Sequence, residues 1–331
     1  MSFNSAGIKI GHATNEAFHT GCTVFLCPEG TVGSVDVRGP APGSRELALL
    51  VPDKPLHYVN GLVLTGGSAF GLATGDGVMR YLAEKGIGHP TPIRPVPIVP
   101  AAVVYDLFLS GGQFLPGAAM GYDACREASE DNDLQGNVGV GAGVTVGKWG
   151  GRERMMKGGL GLATAVINDL VVSAAAVVNA VGDVVAADGS VLAGARAKAG
   201  APVDGAWLAA EDPWRRFPDR PTAPPGAEMA VGEDIVTGTN TTLAVVMTNA
   251  VLTTVEANRL AQRAHDGLAI AIRPVHTTHD GDITFALGTG SVVAAFDLVA
   301  NVAVEMVAEA IRNGVRHAVT VAGIPGLAGE G

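Results

Sequence analysis

Two runs of strand length carry almost nothing that water would favour: residues 170–178, LVVSAAAVV, and residues 242–248, TLAVVMT. A run that is apolar at nearly every position, rather than at alternate ones, is the pattern of a strand buried inside a fold. Both are far too short to span a membrane. Asn179 closes the first run, and Gly182-Asp183 supplies a turn before another strand from Val184. The second leads to Thr253-x-x-Glu256, a capping box, and to a helix with Leu260, Ala264, Leu268 and Ile272 at helical spacing. Pro274 closes that helix. A polar run, residues 276–282 (HTTHDGD), and a further apolar stretch follow.

Helices and strands are mixed along the chain rather than segregated. Residues 68–85 predict a helix that Ser68 caps and Gly86 ends, with Phe70, Ala73, Val78, Tyr81 and Leu82 as its apolar contacts. Five prolines between residues 90 and 100 forbid a regular helix or central strand there. Residues 200–226, rich in Pro, Ala and Gly with Trp207 and Trp214 as large anchors, predict an exposed loop. A chain of 331 residues that is 47% hydrophobic and 16% charged can bury a large core and leaves room for an oligomer interface. The net charge of −10 argues against nucleic acid or an anionic membrane as partner. Cys22, Cys27 and Cys125 lack metal-ligand spacing and read as reduced core thiols. The first residues lack the basic and apolar regions of a signal peptide, so a cytoplasmic enzyme is the expected class.

Residues 238–243, GTNTTL, run from a polar cluster straight into the second buried strand. Local sequence fits an ordinary loop-to-strand junction. It also fits a self-cleaving bond between Asn240 and Thr241. A Thr hydroxyl can attack the preceding carbonyl, and hydrolysis of the ester leaves Thr241 with a hydroxyl and a free α-amine that can serve as its base. Asp280 and Asp282, one residue apart around Gly281, read as a solvated turn or as carboxylates that hold the new ammonium. His276, His279, Asp280 and Asp282 admit a third reading as metal ligands, although their spacing matches no standard zinc motif. The glycine-rich residues 136–148 are no phosphate loop, because Trp149 follows Lys148 where Ser or Thr is needed. They read as a tightly packed loop presenting Lys148, which can balance a carboxylate or developing negative charge. Tyr105 and Asn179 are single polar residues beside apolar runs, either hydrogen-bonded core residues or donors to an oxyanion.

As a set, LTGGSAFGLATGDGV (64–78), PIVPAAVVYDL (97–107), GVTVGKW (143–149), MKGGLG (156–161), NTTLAVVMTNA (240–250) and residues 257–287 resemble the L-aminopeptidase/D-esterase family. This family includes β-peptidyl aminopeptidases and the nylon-oligomer (6-aminohexanoate-oligomer) endo-hydrolase. The resemblance runs from Gly11-His12 through VDVRGPAPGSRE (35–46) to the last helix. It implies an α+β fold, a four-layer αββα sandwich of the ornithine acetyltransferase type, and one domain that cuts itself into chains 1–240 and 241–331. It further implies a cytoplasmic homotetramer of processed protomers, acting on small peptides, amino amides or oligoamides without cofactor or metal. Carried over, Thr241 is the nucleophile and Asn240 the residue before the cut. Asp280 and Asp282 are the pair beside the nucleophile, Lys148 the site lysine, Asn179 the asparagine near the oxyanion and Tyr105 the site tyrosine. Thr with Asp-x-Asp resembles the oligomer-hydrolase branch more than the aminopeptidases, which carry Ser with Ser-x-Glu. Pro40 departs from the family's second glycine. An exo-aminopeptidase, an acyltransferase and an inactive, uncut scaffold are the alternatives.

Overall fold

A computed structural model of the chain describes residues 3–56, 58–200, 203, 205–211 and 240–330. Its main strands are β1 (Lys9–Asn15), β2 (Thr20–Leu26), β3 (Val32–Val37), β4 (Ser44–Arg45), β5 (Gly61–Thr65), β6 (Ala101–Val103), β7 (Leu160–Ile167), β8 (Leu170–Asn179), β9 (Thr241–Ala250) and β10 (Ile283–Val292). They form two five-stranded sheets, β1-β2-β5-β6-β4 and β3-β10-β9-β8-β7. Pairing is antiparallel except between β5 and β6 and between β9 and β10. The long helices are α1 (Thr74–Glu84), α2 (Ala118–Arg126), α3 (Thr254–Ala271) and α4 (Phe296–Arg316).

Three apolar cores separate four layers. Val78 and Leu82 of α1 and Ala124 of α2 pack on Val24 and Val63 of the first sheet. Phe25, Leu62 and Leu64 meet Val177, Leu243, Val245 and Phe285 between the sheets. Ala174, Ala176, Ala244, Val246 and Ala286 meet α3 and α4 on the far side of the second sheet. Alternate residues of β8 and β9 thus enter two different cores, which is why both runs are apolar nearly throughout. Small residues dominate the helix-facing side, and α4 comes so close that a Cβ on Gly161 would stand 1.9 Å from the Ala310 carbonyl oxygen. The architecture is the expected αββα sandwich.

Several local expectations hold. Thr253 and Glu256 make both hydrogen bonds of the capping box, and residues 88–100 form no helix or strand beyond a single His89–Val96 bridge. Asp183–Val185 is a strand, in a small sheet with Val191–Ala193 and Ile272–Arg273. Two details differ. Residues Ser68–Ala73 form a 3-10 turn and the α-helix begins only at Thr74. Ser68, at φ 53°, makes no cap, and Phe70 is 64% exposed rather than an apolar contact. Ile272 leaves the helix for its short strand, before a cis Arg273–Pro274 bond. Of residues 200–226, Trp207 packs against the helix-side core, while Trp214 lies outside the described residues. Among the described residues no helix is long and apolar enough to cross a membrane.

Candidate active site

Parallel pairing of β9 with β10 sets their N-terminal ends side by side, and antiparallel β8 brings its C-terminal end to the same place. Asn179, the last residue of β8, is the cross-strand partner of Thr241, the first of β9. Leu243 and Val245 face the inter-sheet core, so by strand alternation Thr241 and Asn179 fall on that face too. One step earlier, Asn240 forms a parallel bridge with Asp280. Asn240, Thr241, Asn179, Asp280 and Asp282 are all buried.

The peptide between Asn240 and Thr241 is held tightly. The Gly281 N–H donates to the Asn240 carbonyl oxygen at 2.8 Å, and the Thr241 hydroxyl donates to the same oxygen at 2.5 Å. Gly281 has no room for a side chain, since a Cβ would stand 2.8 Å from Thr241 Oγ1 and 2.5 Å from the Ala41 carbonyl oxygen. Residues 38–41 strap this turn down: the Arg38 and Gly39 amides donate to the Asp282 carbonyl and the Ala41 amide to the Asp280 carbonyl, each at 3.1 Å. Pro40 lies between these donors at an exposed position that needs no N–H, so the departure at residue 40 leaves the strap intact.

The carboxylates have different partners. Asp282 accepts the Thr242 amide on Oδ1 at 2.6 Å, and the His276 amide (3.2 Å) and Nδ1 (2.8 Å) on Oδ2. Asp280 accepts the Thr277 amide (2.8 Å) and hydroxyl (2.6 Å), both on Oδ2. Burial, and secondarily the charge of Asp282, push the Asp280 carboxyl up to about 6, against the Thr277 hydrogen bonds and Lys148. Lys148 donates to the Asn179 carbonyl at 3.0 Å and to its Oδ1 at 2.8 Å. Enclosure of its ammonium lowers its pKa to about 7, opposed by Asp280 and Asp282 and reinforced by Lys157. Asn179 Oδ1 also accepts the Thr145 amide, and its Nδ2 donates to the Tyr105 carbonyl at 3.1 Å.

All seven residues singled out from sequence therefore meet at this end of the sandwich, Tyr105 through its backbone. The Tyr105 ring packs edge-on against Phe108 at 5.1 Å. Within the run His276 to Asp282, His276 donates to Asp282 and Thr277 to Asp280, and among the described residues no group of three His, Cys, Asp or Glu side chains is arranged to hold a metal ion. Sequence reading missed three contributors. Thr277 orients Asp280, in a Thr-x-x-Asp spacing that local turn chemistry could have flagged. Gly39 lies where a Cβ would stand 2.1 Å from the Asp282 amide nitrogen. Lys157, fully buried, donates to the Ala142 and Val144 carbonyls at 2.9 and 2.8 Å and so ties down the loop that leads to Lys148. Nothing in the local pattern sets these last two apart.

A family model described as Peptidase family S58 matches residues 5–328. An uncharacterized aminopeptidase of Mycobacterium tuberculosis is 39% identical over 350 residues, covering 96% of this chain and 94% of the relative. A 6-aminohexanoate-oligomer endohydrolase of Paenarthrobacter ureafaciens is 30% identical over 294 residues, 88% of this chain and 76% of that protein. Among solved structures, the L-aminopeptidase D-Ala-esterase/amidase from Ochrobactrum anthropi, described as a variant of the Ntn hydrolase fold, is similar with a TM-score of 0.69 at 17% identity, covering 95% of this chain and 86% of that one. A beta-aminopeptidase from Burkholderia sp. is similar at 0.68 and 21% identity, covering 98% and 91%. At these identities the structural likeness speaks for the fold.

Proposed function

The chain belongs to peptidase family S58, whose members are hydrolases of amide bonds, and from that premise we propose that it cuts itself between Asn240 and Thr241 and uses Thr241 as an N-terminal nucleophile. The observation that carries this reading is the Asn240 carbonyl, gripped by the Gly281 N–H and touched by the Thr241 hydroxyl at the start of a buried strand.

In the first reaction Thr241 Oγ1 attacks the Asn240 carbonyl carbon and loses its proton to Lys148, whose lowered pKa leaves much of its amine neutral near pH 7. The Gly281 N–H stabilises the negative oxygen. The C–N bond breaks, the Thr241 nitrogen takes up a proton, and an ester joins Asn240 to Thr241 Oγ1. Water hydrolyses that ester, leaving Asn240 as a new carboxyl terminus and Thr241 with a free amine. Asp282 is already committed to the Thr242 amide and His276, whereas both donors to Asp280 reach one oxygen, so Asp280 is the carboxylate with capacity for the new ammonium.

In the second reaction the Thr241 amine accepts the hydroxyl proton as Oγ1 attacks a substrate amide. Asn179 stabilises the oxyanion, the substrate amine leaves with a proton, and water releases the acyl group. The proposed substrates are small peptides, amino amides and oligoamides, and Thr241 with Asp280 and Asp282 leans the choice toward oligoamides. The same reading takes processed protomers to form a homotetramer in the cytoplasm. The free thiols of Cys22, Cys27 and Cys125 suit a reducing compartment, and exposed Val251, Val255 and Val293 offer apolar surface for assembly.

Intact mass and N-terminal sequencing of the purified protein test the proposal. Two fragments, the smaller beginning Thr-Thr-Leu-Ala, are expected, with hydrolysis of a 6-aminohexanoate oligomer or an amino-acid p-nitroanilide. Thr241→Ala should stay whole and inactive. An intact wild-type chain that hydrolyses these amides, or an active Thr241→Ala variant, would overturn it.

A further inference from the structure

The His276 ring hydrogen-bonds Asp282, and its backbone is unusual. Its φ is 54°, in the left-handed region that a side chain other than glycine adopts only at a cost. This turn brings the His276 amide and Nδ1 to the same oxygen of Asp282, at 3.2 and 2.8 Å. Nδ1 therefore carries the proton when Asp282 is ionised. Among the described residues Nε2 is buried with no hydrogen-bond partner, and the ring's polar contact is with Asp282. The ring is also prevented from swinging away. It packs edge-on, centroids 4.8 Å apart, against His265 of α3, which is fully buried and held through Nε2 to the Asp36 carbonyl at 3.2 Å.

With Oδ2 fixed in this way, Oδ1 of Asp282 meets the Thr242 amide at 2.6 Å. That amide belongs to the residue after the nucleophile and survives cleavage of the preceding bond. Its position sets where the Thr241 α-carbon, hydroxyl and new amine stand. We propose that His276 is a positioning residue: by clamping Asp282 Oδ2 with its amide and Nδ1, it holds the Thr241–Thr242 peptide, and with it the nucleophile, in register for both reactions. This rests on the reading of Thr241 as nucleophile. It explains why a strained histidine occupies a turn that glycine or asparagine would take more readily.

Three variants test it. In His276→Asn the side-chain amide nitrogen falls where Nδ1 is, and asparagine tolerates a positive φ. In His276→Gln the amide falls near the place of Nε2 and cannot reach Asp282 Oδ2. His276→Ala removes the donor. The measurements are the rate of appearance of the fragment beginning at Thr241 during cell-free synthesis, then kcat and KM of the processed enzyme on an amino-acid p-nitroanilide. His276→Gln and His276→Ala should slow cleavage and lower kcat by about 10²-fold with little change in KM, as expected for a misplaced nucleophile. His276→Asn should recover most of both rates. Equal loss in the Asn and Gln variants, or wild-type rates in all three, would overturn the assignment. If the Gln or Ala chain does not fold, His276→Asn still decides, because rapid cleavage supports the clamp and slow cleavage refutes it. Failure of the underlying reading shows earlier and elsewhere, as a wild-type chain that neither cuts itself nor hydrolyses the anilide.

Discussion

Gly281 holds the Asn240 carbonyl with its N–H and leaves space for the Thr241 hydroxyl by having no side chain. Gly281→Ala would push a methyl group into that hydroxyl and into the Ala41 carbonyl. Cleavage should slow by about 10²-fold or more, as when an oxyanion donor is displaced, measured as accumulation of uncut chain. Lys148 makes a prediction about pH. Its pKa lies at about 7, below its ordinary value, so it is protonated below pH 7 and neutral above. If it takes the Thr241 proton, cleavage should accelerate as pH rises through about 7 and then level off. Lys148→Met should slow cleavage by about 10²-fold and remove that inflection; an unchanged inflection would assign the titration to another group. At this scale Thr241, the acids and Asn179 stood out in the sequence, because each is a polar residue abutting an apolar run. Lys157 and Gly39 were not, since a lysine and a glycine look alike in sequence whether buried or exposed.

Among the elements, α3 was the most legible, because its start is written in four residues. Thr253 Oγ1 accepts the Glu256 amide at 3.2 Å, and Glu256 accepts the Thr253 amide at 2.9 Å. Thr253→Ala should lower stability by about 1 kcal/mol and the melting temperature by about 2 °C, without changing kcat. A calorimetric scan beside an activity assay checks both. The segment 68–85 shows the opposite case. Its helical spacing is real from Thr74 onward, where Val78 and Leu82 are buried, but Gly67 and Ser68 both have positive φ and turn the chain first. Ile272 continues the helical spacing of α3 and yet leaves it, because pairing with Val184 offers its backbone a strand partner that local periodicity cannot express.

In the whole molecule the proposed cut falls within a shared sheet. In the order β3-β10-β9-β8-β7, the edge strand β3 and the pair β8 and β7 precede residue 240, while β10 and β9 follow it. Neither fragment can leave without breaking ladders on both sides and opening two cores. The fragments should therefore co-elute in native size-exclusion chromatography and separate only in denaturant. Loss of the 241–331 fragment under native conditions would contradict this interleaving.

The amino-acid sequence by itself determined that two strands are buried on both faces, that a capped helix follows the second, and that a threonine and two aspartates flank this unit. Each follows from composition and spacing within about twenty residues. Only the tertiary structure decided that β9 runs parallel to β10 and antiparallel to β8, so that Asn179, Thr241 and the acids share one end of the sheet. Strand pairing joins residues far apart in sequence, and no local period encodes it. The same holds for the charges. Lys148 and Asp280 depart from their ordinary pKa values because the fold buries them together, and burial belongs to the assembled layers rather than to any segment.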